Sequence, residues 1–400
     1  SVPSARRTIA ALPQATAGNW KWNFATPAAA LAPPIQGWGL GIYVPSNDRA
    51  FYALGGGAAG GLWKSGYRPA AMNGPAQDAP LVVLAAQAGL PHDAAYVAAQ
   101  DGYLYCFDAA TGAGCTGWPA GGRSVQGFGM VQAQPIFDVG NRRVLFGSRN
   151  ASGANGFYAV DAQTGATAWA FTNSATQGGD GQAMGLVSGP ALVLGSRAYF
   201  ASRTRTGGSA HSLWALDFTA GSATLAWARD LGDIDGSPTH DWTNGRIVVG
   251  TNAGSVHALV PATGATAWSR AFGDGAIRTW IYFDPALARL YFTTNTTVWA
   301  IPASGATGSD WSVGGLVSPT RPLLHYGTAR VYLGACANAA CTNGRVIELD
   351  GANAWATPKT YDLAGVGGLG PVTIDRTQSP AMLHAGSRSG RVVAVELPLP

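Results

Sequence analysis

Short stretches of alternating apolar and polar residues recur along the whole chain, separated by turn residues. A typical pair is QPIFDV (134–139) and RVLFGS (143–148), which Gly140 and Asn141 separate. Alternation with a period of two predicts half-buried strands, and Gly and Asn between them predict a hairpin turn. No segment keeps an apolar period of 3.6 residues, so the pattern predicts an all-β protein with very little helix.

A longer motif joins two such strands. Its clearest copies are YAVDAQTGATAW (158–169) and HALVPATGATAW (257–268). The Asp begins a turn where its carboxylate can accept backbone N–H groups, and the Gly of Thr-Gly can take a positive φ. Eight copies are anchored at Tyr52, Tyr105, Tyr158, Trp214, His257, Trp299, Ile347 and Val393. Eight units of roughly 50 residues predict an all-β, eight-bladed β-propeller with four-stranded antiparallel blades.

The blade boundaries follow from the copies. We expect one propeller domain over residues 1–400, with blades at about 30–68, 80–118, 131–171, 186–230, 236–272, 276–313, 317–361 and 371–400. The eighth copy stops before its Trp, and NWKWNFA (19–25) alternates and carries Trp. We therefore expect this N-terminal strand to become the outer strand of the last blade and to close the ring.

The motif A-x-D-x-x-T-G-x-x-x-W resembles the repeat of the quinoprotein (PQQ-dependent) alcohol dehydrogenase-like propellers. It is closest in character to their non-catalytic, BamB-like members, and the resemblance covers nearly the whole chain. It implies that the repeated Trp of each blade docks against a neighbouring blade and is structural. These residues are Trp63, Trp118, Trp169, Trp227, Trp268, Trp311 and Trp355, with Trp20 or Trp22 for the last blade.

The dehydrogenases of this family imply a quinone under a disulfide of adjacent cysteines, with calcium on Glu, Asn and Asp. This chain has no adjacent cysteines, and its two glutamates, Glu348 and Glu396, lie in predicted inner-hairpin strands. Neither Gly-x-Ser-x-Gly nor His-Glu-x-x-His occurs. We predict no catalytic residue, no cofactor and no metal site, and hence no enzyme.

Cysteine spacing bears on location. Cys106 and Cys115 lie nine apart, Cys336 and Cys341 lie five apart, and each pair brackets turn residues. We predict two disulfides and an oxidising compartment, which makes the protein periplasmic or secreted and bacterial. Four buried thiols in a cytosolic protein are the alternative.

Composition argues against nucleic acid as a partner and against a transmembrane segment. Charged residues make up only 12% of the chain and the net charge is +4, with no Lys/Arg run, which argues against nucleic acid. The longest apolar stretches, such as Leu81 to Leu90, are far shorter than the roughly 20 residues of a membrane span, so we predict no transmembrane segment.

Loop charges give the candidate functional surface. In a four-stranded blade with strands A to D, the B–C loops and the D–A connections between blades lie on one face. The candidates there are Arg149, Arg203, Arg205, Asp233, Asp235, Arg278, Arg321 and Arg388. Arginine on rigidly held loops suits recognition of another protein, and we expect the partner to be an outer-membrane or cell-surface component. Solvated loop charges are the plainer interpretation, and a turn-capping role is favoured for Asp233 and Asp235 over a cation site.

Two further functions stay open. One is an enzyme or small-ligand binder that uses the axial pocket, PQQ-dependent or otherwise. The other is a subunit of an extracellular surface assembly or filament, which low charge and few lysines would permit.

Overall fold

The computed structural model belongs to the eight-bladed β-propeller class and is built almost entirely of antiparallel sheets. It describes residues 6–8, 20–26, 28–30, 34–37, 41–55, 61–65, 72, 74–76, 78–119, 122–124, 133–151, 155–203 and 211–399. Helix is limited to α1 (Ala85–Ala88) and two 3-10 turns, Ala175–Gln177 and Gly351–Asn353, within those residues. The predicted fold class and low helix content are confirmed.

The sheets fall into two compact units, each with four blades. Unit 2 holds blades 1 to 4. Blade 1 consists of β3 (Ile35–Gly37), β4 (Gly41–Pro45), β5 (Phe51–Leu54) and β6 (Gly61–Ser65), and blade 2 of β7 (Leu81–Val83), β8 (Ala94–Ala98), β9 (Tyr103–Asp108) and β10 (Arg123–Ser124). Blade 3 consists of β11 (Ile136–Asp138), β12 (Arg143–Gly147), β13 (Phe157–Asp161) and β14 (Thr167–Phe171), and blade 4 of β15 (Leu192–Leu194), β16 (Arg197–Ala201), β17 (Leu213–Phe218) and β18 (Ala223–Arg229).

Unit 1 holds blades 5 to 8. Blade 5 consists of β19 (Thr239–Asp241), β20 (Arg246–Gly250), β21 (Ser255–Leu259) and β22 (Thr266–Ala271), and blade 6 of β23 (Tyr282–Asp284), β24 (Arg289–Thr293), β25 (Val298–Pro302) and β26 (Trp311–Gly314). Blade 7 consists of β27 (Leu323–His325), β28 (Arg330–Cys336), β29 (Gly344–Asp350) and β30 (Lys359–Leu363). Blade 8 consists of β31 (Leu369–Asp375), β32 (Met382–Ser387), β33 (Arg391–Glu396) and β2 (Trp20–Ala25). Strands A to D are the four strands of each blade in this order.

The N-terminal segment contributes two strands to unit 1. Strand β2 pairs antiparallel with β33, the chain's last strand, which confirms that the N-terminal strand within NWKWNFA completes the last blade. Strand β1 (Arg6–Thr8) pairs in parallel with β26, so blade 6 has five strands instead of the expected four. The outer strand of a blade is an edge with unpaired N–H and C=O groups, and β1 uses that edge.

The C–D hairpin shows why the motif repeats. The motif Trp on strand D lies opposite an Ala on strand C in most blades, and a bulge follows the pair in several of them. The pairs are Ala53–Trp63, Ala159–Trp169, Ala215–Trp227, Ala258–Trp268, Ala300–Trp311 and Ala394–Trp22. In blades 3 to 6 the small residue opposite the indole leaves room for it on the sheet surface.

Several motif tryptophans reach the following blade. Trp118 donates its indole N–H to the carbonyl of Ala162 at 2.8 Å, and Trp169 does the same to Thr219 at 3.1 Å. The ring of Trp268 covers Gly305, where an added Cβ would lie 2.5 Å from the indole. These contacts join the motif Trp of one blade to the C–D turn of the next, in blades 2 to 3, 3 to 4 and 5 to 6. Trp169 and Trp268 lie on strand D, whereas Trp118 lies just before β10.

Trp227 and Trp355 make different contacts from these three tryptophans. Trp227 packs on Tyr199 of its own blade at 5.9 Å between ring centroids, and the side chain of Trp63 lies outside the described residues. Trp355 is fully buried, but it lies in the C–D turn of blade 7, before β30, and packs back on Tyr291 and Trp311 of blade 6. Its place in the turn differs from the strand position that the motif suggested, because IELDGANAW lacks the Thr-Gly that would set the turn length.

Both predicted disulfides are present. Cys106–Cys115 spans the C–D turn of blade 2, and Cys336–Cys341 lies at the B–C loop of blade 7. Cys106 follows the anchor Tyr105 directly, so it takes the place that Ala159 has in blade 3. One cysteine of the disulfide therefore stands where six of the other hairpins have the Ala of the Ala–Trp pair.

Four of the A–B turns are stabilised by the same side-chain hydrogen bond. The Asp that ends strand A points its carboxylate back into the turn and accepts the backbone N–H two residues further on. The four cases are Asp138 with Gly140 (3.1 Å), Asp241 with Thr243 (3.0 Å), Asp284 with Ala286 (2.9 Å) and Asp375 with Thr377 (2.9 Å). All four Asp side chains are buried, so their charge is used inside the turns.

Candidate partner-binding surface

The loops of unit 2 that carry candidate residues are fixed by backbone hydrogen bonds. The B–C loop of blade 3 begins at Ser148, whose carbonyl accepts the N–H of Val187 at 3.0 Å. In blade 4, Ser202 likewise accepts from Ile234 at 3.3 Å, while Arg203 donates its backbone N–H to Leu186 at 2.9 Å. The described ends of the B–C loops are thereby bonded to the D–A connections.

Arg203 and Asp235 form a two-pronged ion pair. Nε of Arg203 lies 2.6 Å from Oδ1 of Asp235, and one terminal nitrogen lies 2.7 Å from Oδ2. Hydrogen bonding to Asp235 raises the pKa of the Arg203 guanidinium, and the charge of Asp233 adds to this. The pair is partly shielded from solvent, since the Asp235 side chain is 11% exposed and that of Arg203 36%.

Arg149 lies beside this pair. Its Nε donates to Oγ of Ser188 at 3.2 Å, and the residue is half-buried. Burial lowers the pKa of the Arg149 guanidinium, and the positive charge of Arg203 lowers it further, opposed in part by Asp235. Two guanidinium groups therefore lie close to the carboxylate of Asp235, the charge of Asp233 also acts on Arg203, and the Arg149 guanidinium is partly desolvated.

Unit 1 carries the other candidates. Arg321 stacks on Trp280, with its guanidinium carbon 4.1 Å from the ring centroid. Arg278 and Arg388 are exposed, and Arg388 is held by a backbone hydrogen bond from its N–H to Gly368. Its side chain lies next to the Cys336–Cys341 disulfide, because a Cβ on Gly368 would contact both.

The structure thus brings together Arg149, Arg203, Asp233 and Asp235 in unit 2. Arg278, Arg321 and Arg388 belong to unit 1, and Arg205 lies outside the described residues. The role of all eight residues in binding stays a prediction.

Sequence reasoning missed a second polar group in unit 2. His211 in the B–C loop of blade 4 pairs with Asp180, Nε2 to Oδ2 at 3.0 Å, and Asn173 donates to the same carboxylate at 2.5 Å. Burial alone would raise the pKa of Asp180, but hydrogen bonds from Gln182, Asn173 and His211 hold it below its usual value. Residues 31 apart in sequence meet here, and no local motif indicates the pair.

The residues that a calcium–quinone site would need do not fit. Glu348 is buried and already bonded to Arg330, to the Tyr332 hydroxyl and to the backbone N–H of Leu399. Neither disulfide joins adjacent cysteines. No group of three or more His, Cys, Asp or Glu side chains that could hold a metal ion occurs in the part of the chain that the structure describes. In that part there is also no helix long and apolar enough to cross a membrane.

Known proteins support the fold. Residues 100–281 match the family model described as outer membrane protein assembly factor BamB, which is a little under half of the chain. No curated protein matches the chain in sequence.

Among solved structures, BamB from Moraxella catarrhalis is 17% identical, with a TM-score of 0.61 over 94% of this chain and 97% of that one. Quinohemoprotein alcohol dehydrogenase from Comamonas testosteroni is 13% identical, with a TM-score of 0.71 over 97% of this chain and 79% of that one. The computationally designed Ika8 protein is 12% identical, with a TM-score of 0.61 over 95% of this chain and 100% of that one. At such identities the likeness concerns the fold. The chain is therefore an eight-bladed β-propeller with PQQ-like repeats, similar over residues 100–281 to outer membrane protein assembly factor BamB and in fold to both BamB and a quinohemoprotein alcohol dehydrogenase.

Proposed function

We propose that this protein is a non-catalytic scaffold of the bacterial periplasm or exterior that binds another protein through the loops of unit 2. The observation that carries the proposal is the Arg149–Arg203–Asp235 cluster, in which an ion pair holds one guanidinium beside a second, half-buried one. The similarity to an outer membrane protein assembly factor supports a partner in the outer membrane or at the cell surface. The two disulfides are consistent with an oxidising compartment.

The cluster is suited to an acidic segment. Much of the desolvation cost of Arg149 is already met in the unbound protein, so a carboxylate from a partner adds an attraction with little further loss of hydration. The Arg203–Asp235 pair keeps its geometry on binding and limits the loss of side-chain entropy. Opposite charges on the partner would also raise the rate of association, and this effect weakens with salt.

Charge reversal tests the proposal. The immobilised full chain would be incubated with a detergent extract of the cell envelope, and the bound protein quantified at rising ionic strength. Arg149→Glu should reduce the bound amount about tenfold or more, as expected for a charge at the centre of an interface. Arg142→Glu, an exposed Arg in the A–B turn of the same blade, is the matched control and should bind like the wild type. Loss of the partner with Arg142→Glu but not with Arg149→Glu would refute the proposed surface.

A second candidate is a quinoprotein oxidoreductase, which the fold similarity to quinohemoprotein alcohol dehydrogenase over 97% of the chain favours. The purified protein would be mixed with PQQ, calcium, a primary alcohol and an electron-accepting dye. Because the described donor groups do not fit such a site, we expect no alcohol-dependent dye reduction. Reduction that requires both PQQ and calcium would replace the scaffold function with this one.

A further inference from the structure

Exposed apolar side chains concentrate on one kind of turn. Four large hydrophobic side chains are exposed among the described residues, namely Val139, Trp242, Leu287 and Tyr326. Each lies in an A–B turn. Three of them, in unit 1, belong to the consecutive blades 5, 6 and 7. We call Trp242, Leu287 and Tyr326 the A–B surface.

These turns are neighbours within unit 1, because the first strands β19, β23 and β27 lie side by side. The indole of Trp242, 69% exposed, stands at right angles to the ring of His240, with 4.2 Å between centroids. Tyr326, 47% exposed, packs on Tyr282 of blade 6 at 6.0 Å. The exposed rings are thus held by buried or half-buried neighbours, and binding would cost them little conformational entropy.

The charge around the A–B surface is positive. The carboxylates of Asp241, Asp284 and Asp375 are buried and bonded within their own turns. Arg376, in the A–B turn of blade 8, is exposed and has no ion-pair partner among the described residues. The first strands of blades 7 and 8, β27 and β31, lie side by side, so the turns that carry Tyr326 and Arg376 are neighbours. In agreement, burial and then the charges of Arg376 and Arg330 lower the pKa of His325.

We propose that the A–B surface binds an acidic peptide segment of another protein that carries an aromatic or large apolar anchor. The anchor packs on the exposed side chains of the A–B surface, and the acidic residues pair with Arg376. This site goes beyond the proposed function, because its residues lie at the ends of the strands opposite to the B–C loops and in unit 1 rather than unit 2.

The same charges disfavour other occupants. A sugar bound on the Trp242 ring would need carboxylate acceptors for its hydroxyl groups, and the three nearby carboxylates are engaged in turns. A second copy docked symmetrically through this surface would bring Arg376 towards an equally cationic surface.

Peptide display with the full chain tests this site. The probe is a library of random peptides, panned on the wild type after depletion on a Trp242→Ser/Tyr326→Ser variant. We expect enriched peptides to combine Asp or Glu with Phe, Trp or Leu. In fluorescence titration, a selected peptide should bind at least about tenfold more weakly to the double variant and to Arg376→Glu. Val139→Ser, an exposed apolar residue on the A–B turn of blade 3 in unit 2, is the matched control and should change nothing.

Several outcomes would overturn the proposal. They are the enrichment of basic or purely polar peptides, no enrichment at all, and equal binding to the wild type and the double variant. Concentration-dependent self-association of the wild type that the double variant loses would assign the surface to a second copy. Binding to phospholipid vesicles that the double variant loses would assign it to a membrane. Because the substituted side chains are largely exposed, an unchanged melting temperature would verify that each variant is folded. A negative result for the A–B surface would not affect the Arg149 test of the proposed function, because the two experiments substitute different residues.

Discussion

The contact between Trp118 and Gly165 offers a direct measure of how one blade docks on the next. The Trp118 indole of blade 2 donates to the carbonyl of Ala162, which also accepts the hydroxyl of Tyr96 at 2.9 Å. The same ring lies over Gly165 in the C–D turn of blade 3, where an added Cβ would be 3.1 Å from the indole. Gly165 has a φ of +68°, so its lack of a side chain is needed for both conformation and contact.

Three substitutions separate the contributions that the indole hydrogen bond, the indole packing and Gly165 make to the free energy of unfolding. Trp118→Phe keeps most of the packing, and Tyr96 still satisfies the Ala162 carbonyl, so the loss should be about 1 kcal/mol for one hydrogen bond. Trp118→Ala empties the site and should cost about 3–5 kcal/mol. Gly165→Ala should cost about 1–2 kcal/mol for the left-handed backbone and about 1–3 kcal/mol more for crowding against the indole.

The control is Gly195→Ala in the A–B turn of blade 4. Gly195 has a φ of +61°, close to that of Gly165, but a Cβ added to it would have no neighbouring atom within 4 Å. It therefore reports the backbone cost alone, about 1–2 kcal/mol. The assay is urea unfolding of the full chain, with variants compared by midpoint at a constant slope.

A double-mutant cycle then tests whether the Trp118 indole crowds the methyl group that Gly165→Ala introduces. If the indole crowds the new methyl group, Gly165→Ala should cost less in the Trp118→Ala background, by about 1–3 kcal/mol, and should approach the cost of Gly195→Ala. An equal cost for Gly165→Ala and Gly195→Ala in both backgrounds would show that the indole does not dock on this turn.

Other contacts lead to further expectations. Deleting residues 1–28 should lower the melting temperature and promote aggregation, since β33 would become an exposed edge; an unchanged melting temperature would contradict the pairing. Replacing Cys106 and Cys115 together by Ser should lower the free energy of unfolding by about 2–3 kcal/mol, and mass spectrometry of the unreduced wild type should find no alkylated thiol. Glu348→Gln should cost about 3 kcal/mol in urea unfolding, because Arg330 loses its buried partner charge; a neutral effect would show that the amide replaces the carboxylate fully.

The hairpins were predictable because their signals are local. Asp161 accepts the backbone N–H groups of Gln163 and Thr164 in the C–D turn, as the motif indicates, and Gly165 takes the expected positive φ. Cysteines that bracket a turn are likewise close in any hairpin. Each of these features needs only a few consecutive residues.

The candidate site was predictable only in part. Topology alone places B–C loops and D–A connections at the same ends of the strands, which is enough to bring Arg149, Arg203 and Asp235 to one region. Which Arg pairs with which Asp depends on how far each loop extends, and the sequence contains no signal for this. The exposed Trp242 was also missed, because a Trp in a repeat rich in Trp suggests packing rather than exposure.

The pairing of Ala with Trp across the C–D hairpin has a consequence for how the repeats within this chain can diverge. In blade 7 the residue after the anchor Ile347 is Glu348, which lies opposite Lys359, so neither the Ala nor the Trp is kept while the sheet remains. The backbone hydrogen bonds of the C–D hairpin therefore do not depend on this side-chain pair. A repeat can thus lose its signature residues while the blade persists. The antiparallel strands continue to Glu396, well beyond the family match that ends at residue 281.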